Sequence, residues 1–114
     1  MMSCIFCEIA NGERAADLVY EDEIAVAFRD INPQAPTHIL VIPREHIAGP
    51  LSVDADNAPI IGHLVAVAAK IAQQEGIAPD GYRLVINQGR DGGQSVFHIH
   101  VHVLGGRRMS WPPG

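Results

Sequence analysis

Histidine recurs at every second position in the run His98-Ile99-His100-Val101-His102-Val103-Leu104. Successive side chains of a β-strand point to opposite faces, so this run predicts a strand with three imidazoles on one face and aliphatic residues on the other. Imidazole is an uncommon filler of a strand and usually needs hydrogen-bond partners. The pattern therefore favours a row of histidines that binds a metal, binds an anion or attacks an electrophile over an ordinary half-buried strand.

A glycine-rich loop precedes the histidine run. Residues 87–95 read Asn-Gln-Gly-Arg-Asp-Gly-Gly-Gln-Ser and join two apolar segments, 82–86 and 96–104. Glycine lets the backbone approach a ligand closely, and successive N–H groups form a nest for an anion. Asp-Gly is equally typical of a plain hairpin turn, so the loop alone leaves both interpretations open. Next to three histidines, a phosphate-binding site is the better interpretation.

The composition limits the class of protein to which such a site can belong. With 114 residues, 47% of them hydrophobic and 18% charged, the chain suits one globular domain, residues 1–114. No apolar run approaches the roughly 20 residues that span a bilayer, and residues 1–11 lack the basic start and long apolar stretch of a signal peptide. A net charge of −5 offers no general positive field for nucleic acid. We expect a cytoplasmic protein with neither a nucleic-acid nor a membrane partner.

Hydrophobic periodicity supplies the remaining elements. A short helical segment is predicted at 4–9, and strands are predicted at 18–20, 24–28, 38–42, 82–88 and 96–104. Apolar residues at helical spacing predict one long helix from Ile60 to Ile71, with a C-terminal stop at Gly76. Three side chains are candidates to cap its start: Ser52, Asp54 or Asp56. Strands that adjoin strands around one main helix predict an α+β fold with an antiparallel sheet. Residues 107–114 lack periodicity and are predicted to form an extended tail.

These features together resemble a known family. The pattern His-φ-His-φ-His-φ-φ, where φ is apolar, is the signature of the histidine triad (HIT) superfamily. Segments 28–38, 92–95, 105–107 and 111–114 are similar to the Hint branch, the histidine triad nucleotide-binding proteins. The resemblance covers nearly the whole chain. It implies the HIT fold, a five-stranded antiparallel sheet with one long and one short helix, which pairs into a continuous sheet in a homodimer.

Membership of that branch implies a hydrolase that cleaves purine nucleoside 5′-phosphoramidates and acyl adenylates, with AMP or GMP as the nucleotide. The middle histidine, His100, is then the nucleophile and carries a nucleotidyl intermediate, which splits one hard displacement into two easier ones. By the same resemblance, His102 and Ser95 contact phosphate oxygens, His98 completes the triad, and His38 orients the imidazoles through a hydrogen-bonded relay. The sequence holds no acidic cluster suited to Mg²⁺, so we expect catalysis to require no cofactor.

The resemblance also assigns residues to the nucleoside. Asp30 is implied to accept hydrogen bonds from the ribose hydroxyls, although a turn aspartate at a strand end is the simpler alternative. An apolar slot for the base is implied at Ile5, Phe6, Ile9, Phe28 and Ile31, which are equally typical of a core. Contacts to phosphate or ribose are implied at Asn87, Gly93 and Gln94. Trp111, in the tail, is implied to lie near the active site of the partner subunit.

A second constellation begins at Cys4-Ile5-Phe6-Cys7, which has the spacing of half a zinc site. Zinc-bearing members of the HIT superfamily imply two completing ligands, His46 and His98. The four residues would form a closed, structural zinc site. Two reduced, partly buried cysteines are the alternative, because a CxxC motif supplies only two ligands. A structural disulfide is not expected in a reducing cytoplasm.

Three other functions stay open at this point. A dinucleoside polyphosphate hydrolase is another activity within HIT proteins, although the ending Trp-Pro-Pro-Gly at 111–114 argues against it. A nucleotide-sensing interaction protein with vestigial activity would use the same residues for binding alone. A zinc hydrolase would need His98, His100 and His102 to converge on one ion, and alternate residues of one strand are poorly placed to do so.

Overall fold

The computed structural model of the protein describes residues 4–114. In that range the helices are α1 (Ile5–Ala10), α2 (Ala58–Gln74) and α3 (Gly89–Gly92), and a 3₁₀ turn spans Pro50–Ser52. The strands are β1 (Leu18–Glu21), β2 (Ala25–Arg29), β3 (Thr37–Pro43), β4 (Tyr82–Val85) and β5 (Val101–Gly105). They form one sheet in the order β1-β2-β3-β5-β4, with every neighbouring pair antiparallel. The predicted α+β fold, with a five-stranded antiparallel sheet and one long helix, is confirmed.

Both faces of this sheet are covered, which explains why β3, at its centre, is buried along its whole length. The long helix α2 packs on one face, where Ile99, Val101 and Val103 join the core. The short helix α1 packs on the other face, where Phe6 and Ile9 meet the opposite side of β2 and β3. The aliphatic residues of the histidine run therefore face α2, as predicted. Because side chains alternate along a strand, His102 lies on the α1 face.

The histidine run is only half strand, since β5 begins at Val101 and not at 96. The residues before it bond to the last residue of β3 and to the chain that follows, instead of extending the sheet. The N–H of Ile99 donates to the carbonyl of Ile47 at 2.6 Å, and the ring of His98 donates to the carbonyl of Pro43 at 2.8 Å. His98 and His100 are thus held in a buried loop that leads into the sheet.

The N-terminus of α2 differs from the predicted caps. Asn57 is the N-cap, and its side chain makes no capping hydrogen bond. Asp54 instead accepts from the N–H groups of Asp56 and Asn57, so its carboxylate closes the turn before the helix. Proline in the first turn, at Pro59, removes one N–H that would otherwise need a partner. At the other end Gly76 has a φ of +77°, which fits the predicted helix stop.

Residues 106–114 contain no helix or strand. Trp111 is 81% exposed, and a hydrogen bond from Arg83 to the carbonyl of Ser110 holds the tail beside β4. Within residues 4–114, no helix is both long and apolar enough to cross a bilayer. The expectation that a signal peptide is missing concerned residues 1–11, of which 1–3 lie outside the described range.

Candidate active site

A cleft of about 590 Å³ opens on the α1 face of the sheet. Its apolar wall comes from α1, β2 and β3 and consists of Ile5, Phe6, Ile9, Phe28, Ile31 and Leu40. Its polar end contains Asp30, Ser95, His100 and His102. The structure thus gathers the five apolar residues predicted for the base and four of the predicted polar residues around one space. That space combines an apolar slot with a few convergent polar groups, as small-molecule sites do.

His100 has a defined tautomer. Its Nδ1 atom lies 2.8 Å from the carbonyl oxygen of His98, and a carbonyl only accepts hydrogen bonds. Nδ1 therefore carries the ring proton, and the neutral imidazole keeps its lone pair on Nε2. Burial lowers the pKa of His100 from 6.5, against the opposing effect of the hydrogen bond to His98, so the ring is neutral at neutral pH. A neutral imidazole with a free lone pair in a cleft is a competent nucleophile.

His38 and His102 form a chain of hydrogen bonds with one consistent direction. The N–H of Gln34 donates to Nδ1 of His38 at 3.0 Å, so the proton of the neutral His38 ring is on Nε2. That Nε2 donates to Nδ1 of His102 at 2.9 Å, which puts the proton of His102 on its own Nε2. An oxygen of Asp30 lies 3.4 Å from the same Nε2 of His38. The chain therefore makes the remaining ring nitrogen of His102 a hydrogen-bond donor.

Burial also sets the charge of His102. Desolvation, with smaller effects of His100 and His38, lowers its pKa to about 4. Burial lowers the pKa of His38 as well, although the Asp30 carboxylate acts in the opposite direction. The polar end of the cleft therefore presents neutral imidazoles at neutral pH, one with a lone pair and one with a donor.

His98 plays a different part from the other two triad histidines, because neither of its ring nitrogens faces the cleft. It is fully buried, its Nε2 donates to the Pro43 carbonyl, and its Nδ1 points at the two cysteines and at His46. All three imidazoles nevertheless lie on the side of α1, since Phe6 contacts His98 and His100 edge-on and the ring of His102 is 4.9 Å from that of His100. Only His100 and His102 line the cleft.

Cys4, Cys7, His46 and His98 form a compact group, called here the Cys/His cluster. The Nδ1 atom of His98 lies 3.4 Å and 3.5 Å from the sulfurs of Cys4 and Cys7, and 3.2 Å from Nδ1 of His46. A tetrahedral zinc ion with ordinary Zn–N and Zn–S bonds separates its ligands by about 3.3–3.8 Å. The distances and the donor set therefore fit zinc.

The protonation states of the Cys/His cluster also bear on this fit. The bond from Nε2 of His98 to Pro43 leaves Nδ1 unprotonated, as a metal ligand requires. Burial, followed by the hydrogen bond to Cys4, raises the pKa of Cys7 to about 11. A cation between the sulfurs would oppose that shift and favour thiolates.

Comparison with known proteins now decides the family. A family model described as the HIT domain matches residues 11–109. The chain belongs to the HIT family. It is 55% identical over 105 residues to the purine nucleoside phosphoramidase of Escherichia coli K12. That alignment covers 92% of this chain and 88% of the E. coli protein. It is 54% identical over 112 residues to a 14 kDa zinc-binding protein of Zea mays. That alignment covers 96% of this chain and 87% of the maize protein.

The HIT fold is equally clear from solved structures. The crystal structure of a HIT family hydrolase from Legionella pneumophila Philadelphia 1 superposes with a TM-score of 0.96 at 53% identity. The match covers 98% of this chain and 100% of that one. The resemblance drawn from the histidine run is therefore confirmed at the level of family and fold.

Three loop residues predicted to contact the nucleotide do not line the cleft of this HIT protein: Asn87, Gly93 and Gln94. The amide of Gln94 is buried, where it accepts from the N–H of Gly89 and donates to the carbonyl of Ala48. The N–H of Gly93 is bonded within α3. The predicted anion nest is thus a helical turn whose N–H groups at 93 and 94 are already used. Both residues support the loop that carries Ser95 into the cleft, and their contacts with a nucleotide stay predictions.

The cleft also contains residues that the sequence analysis did not single out. These are Arg14, Ala15, Ala16, Asp17, Arg29, Leu40 and Val96. Arg29 forms a two-pronged ion pair with Glu75, at 2.8 Å and 3.0 Å, which ties this wall to the end of α2. No spacing motif marks residues 14–17, because they enter the cleft as an irregular segment between α1 and β1. Trp111 lies outside the lining of the cleft, so its predicted role across a dimer stays a prediction.

Proposed function

We propose that this HIT protein hydrolyses purine nucleoside 5′-phosphoramidates and acyl adenylates through a nucleotidyl intermediate on His100. The observation that carries the proposal is the hydrogen bond from Nδ1 of His100 to the His98 carbonyl, which keeps the Nε2 lone pair available in the cleft. The HIT hydrolases and the phosphoramidase to which the chain is similar support the reaction class.

The reaction then proceeds in two displacements. Nε2 of His100 attacks the phosphorus, a nitrogen–phosphorus bond forms, and the bond from phosphorus to the departing amine breaks. The amine takes a proton from a water molecule in the cleft. The hydroxide that remains attacks the phosphorus, breaks its bond to His100 and releases the nucleoside monophosphate. Each step is a simple substitution, and the imidazole is regenerated with its proton still on Nδ1.

His102 and Ser95 would stabilise the phosphoryl group in both steps. The hydrogen-bond chain from Gln34 through His38 makes Nε2 of His102 a donor, which suits an oxygen that gains negative charge. Ser95 lines the same cleft. Because the donor of His102 is fixed before substrate arrives, it needs no reorganisation when charge develops. Asn87, Gly93 and Gln94 would complete the phosphate and ribose contacts.

The nucleoside would occupy the remainder of the cleft. A purine fits between the apolar side chains of α1 and β2, and it would cover Ile31, which is fully exposed at the rim. Asp30 lines the same cleft, and its carboxylate lies 3.4 Å from Nε2 of His38, where it could meet the ribose hydroxyls. A carboxylate only accepts hydrogen bonds, so it suits a diol. AMP and GMP are the expected products.

We propose further that the Cys/His cluster holds a structural zinc ion. The ligand separations carry this assignment, and the zinc-binding relative from maize supports it. The ion would cross-link α1 to the chain after β3 and to the loop before β5. It would take no part in the two displacements. In particular, Nδ1 of His98 faces the cysteines, so the structure does not favour an ion shared by the three triad histidines.

A homodimer is the proposed assembly. Strand β4 lies at one edge of the sheet, and an edge strand presents unpaired N–H and C=O groups to another chain. The opposite edge, β1, is interrupted by an irregularity between Leu18 and Tyr20, which makes it a poorer template. Large apolar side chains are exposed just after β4, at Ile86, and at Phe97. Two β4 strands would join the sheets of two protomers.

Mass spectrometry of the protein quenched during turnover tests the function. With a purine nucleoside phosphoramidate, the peptide that contains residues 98–107 should gain one nucleoside monophosphoryl group, and His100→Ala should not. Turnover without that adduct would contradict the covalent route. Faster hydrolysis of a dinucleoside polyphosphate would favour that rival activity. Nucleotide binding without hydrolysis of any of these substrates would identify a sensing protein.

A further inference from the structure

Helix α1 belongs to two sites at once. Cys4 and Cys7, at its N-terminal end, contribute their sulfurs to the Cys/His cluster, where they contact His98 and His46. Ile5 and Phe6, between them, line the cleft proposed for the nucleotide. The helix has six residues, and a helix of that length is not stable without outside contacts. Phe6 and Ile9 hold one side of the helix against the sheet. The anchoring of the two sulfurs adds to these contacts and therefore bears on the same wall of the cleft.

The loop that enters β5 makes a second connection between the sites. The ring of His98 is held by the Cys/His cluster on one side and by the Pro43 carbonyl on the other. The main-chain carbonyl of the same residue accepts the hydrogen bond that Nδ1–H of His100 donates. The ring of Phe6 stands edge-on to both imidazoles, at 5.9 Å from His98 and 5.1 Å from His100. A displaced His98 would disturb both the tautomer and the packing of His100.

The cluster draws its ligands from three separate segments of the chain. These are α1, the segment after β3 that carries His46, and the loop before β5 that carries His98. Among the described residues, these four side chains meet through sulfur–nitrogen and nitrogen–nitrogen contacts of 3.2–3.5 Å. The N–H of Cys7 also donates to the sulfur of Cys4, and the rings of His46 and His98 pack edge-on. Weak contacts of these kinds hold position poorly, whereas four bonds to one ion would lock it. His46 is exposed, so the ion would exchange with solvent.

We propose that Cys4, Cys7 and His46 are positioning residues for the nucleotide site, and that one zinc ion in the Cys/His cluster sets its affinity. This inference rests on the proposed function and on the proposed zinc. Loading the cluster fixes α1 in the position that the structure shows and thereby holds the base slot. It also fixes the His98 carbonyl and thereby holds the lone pair of His100 toward the phosphorus. Zinc status therefore acts on substrate binding and on the chemical step, although the ion touches neither substrate nor His100.

The test compares the full-length protein with zinc, after chelation, and after zinc is added back. His46→Asn removes the exposed ligand and so leaves the buried core intact, while Cys7→Ser removes a ligand from α1. Glu45→Gln is the matched control, since Glu45 is exposed beside His46 and outside the cluster. Metal content, AMP affinity by calorimetry, kcat and KM, and backbone hydrogen exchange in 5–10 and 98–100 are measured on each.

We expect chelation to weaken AMP binding by about tenfold, the scale seen when a supporting contact around a site is lost. KM should rise, kcat should fall, and backbone exchange should speed up in both segments. Added zinc should reverse these changes and restore AMP binding in the wild type and in Glu45→Gln, but not in His46→Asn. A chelated protein with a lower melting temperature and unchanged AMP affinity would overturn the proposal. So would a protein that binds no zinc.

Failure of the proposed function would look different. In that case the zinc-loaded protein would neither bind AMP nor hydrolyse the phosphoramidate, yet zinc would still slow exchange at 5–10 and 98–100. That result would uphold the positioning of α1 and His98 and would reassign what the cleft binds.

Discussion

The Nε2 atom of His38 lies 2.9 Å from the Nδ1 atom of His102. Because the N–H of Gln34 occupies the other ring nitrogen of His38, this contact has one direction only, from His38 to His102. The second triad histidine in the cleft is therefore turned into a donor by a residue on the neighbouring strand, β3. Its donor character depends on a side chain that does not line the cleft.

The hydrogen bond that His38 donates to His102 can be tested separately from the packing of its ring. In His38→Ala, His102 loses its fixed tautomer, and we expect kcat to fall by about 10–100-fold with a smaller change in KM. His38→Gln keeps an N–H group near the position of Nε2 and should recover part of the loss. Steady-state kinetics on the two variants is the measurement. Equal losses in both would show that the imidazole serves packing alone.

His100→Ala should abolish turnover, because the lone pair that attacks phosphorus is removed. A fall in kcat of at least about a thousandfold, or about 4 kcal/mol, is expected, while AMP affinity changes much less. His63→Ala is the matched control, as His63 pairs with Asp22 away from the cleft. A residual kcat above about a tenth of wild type would contradict the nucleophile assignment.

Asp30→Ala should weaken AMP binding by about 1.5–3 kcal/mol, the value of hydrogen bonds to a charged acceptor. The loss should be smaller for 2′-deoxy-AMP, which lacks one of the hydroxyls. Calorimetric titration with both nucleotides measures the difference. His38→Ala serves as the reference for any indirect effect, since Asp30 also approaches His38 at 3.4 Å. If both affinities stay unchanged, Asp30 is a turn residue whose carboxylate accepts a hydrogen bond from the N–H of Asn32.

Stability should fall in mild acid. Burial lowers the pKa of His102 from 6.5 to about 4, so between these values the unfolded chain binds more protons than the folded one. The free energy of unfolding should be largest above about pH 6.5 and decrease toward pH 4, by at most roughly 3 kcal/mol for this residue. Urea titrations of wild type and His102→Asn, both in EDTA, isolate the effect. A variant with the same pH slope as wild type would contradict it.

Deletion of Ser110 to Gly114 should alter kcat/KM among amine leaving groups more than it alters the melting temperature. The tail is exposed and lies outside the cleft of its own chain, so an effect on catalysis would have to come from the partner protomer. A phosphoramidate series measures the ranking, and gel filtration reports the oligomeric state. Identical rates and ranking would leave the tail without a role in substrate choice.

The sequence predicted well what depends on side-chain alternation. The aliphatic face of the histidine run, the central strand and the long helix follow from periods of two and 3.6 residues, and a family signature placed His100 and His102. It predicted the segment before β5 less well, because the strand begins at Val101 and not at 96, and Gln94 is buried beneath the preceding loop. Both features depend on Ala48 and other residues distant in the chain, which no local pattern reveals.

The start of β5 at Val101 divides the two cleft histidines between different supports. His102 lies on the hydrogen-bonded sheet, whereas His100 lies in the loop before it, bonded to the carbonyl of His98. Their rings are 4.9 Å apart, so this separation depends on how the loop meets the sheet. A magnetic-resonance measurement of the distance between the two rings would therefore monitor the position of the loop relative to the sheet. It would report any slip between sheet and loop before substrate is added.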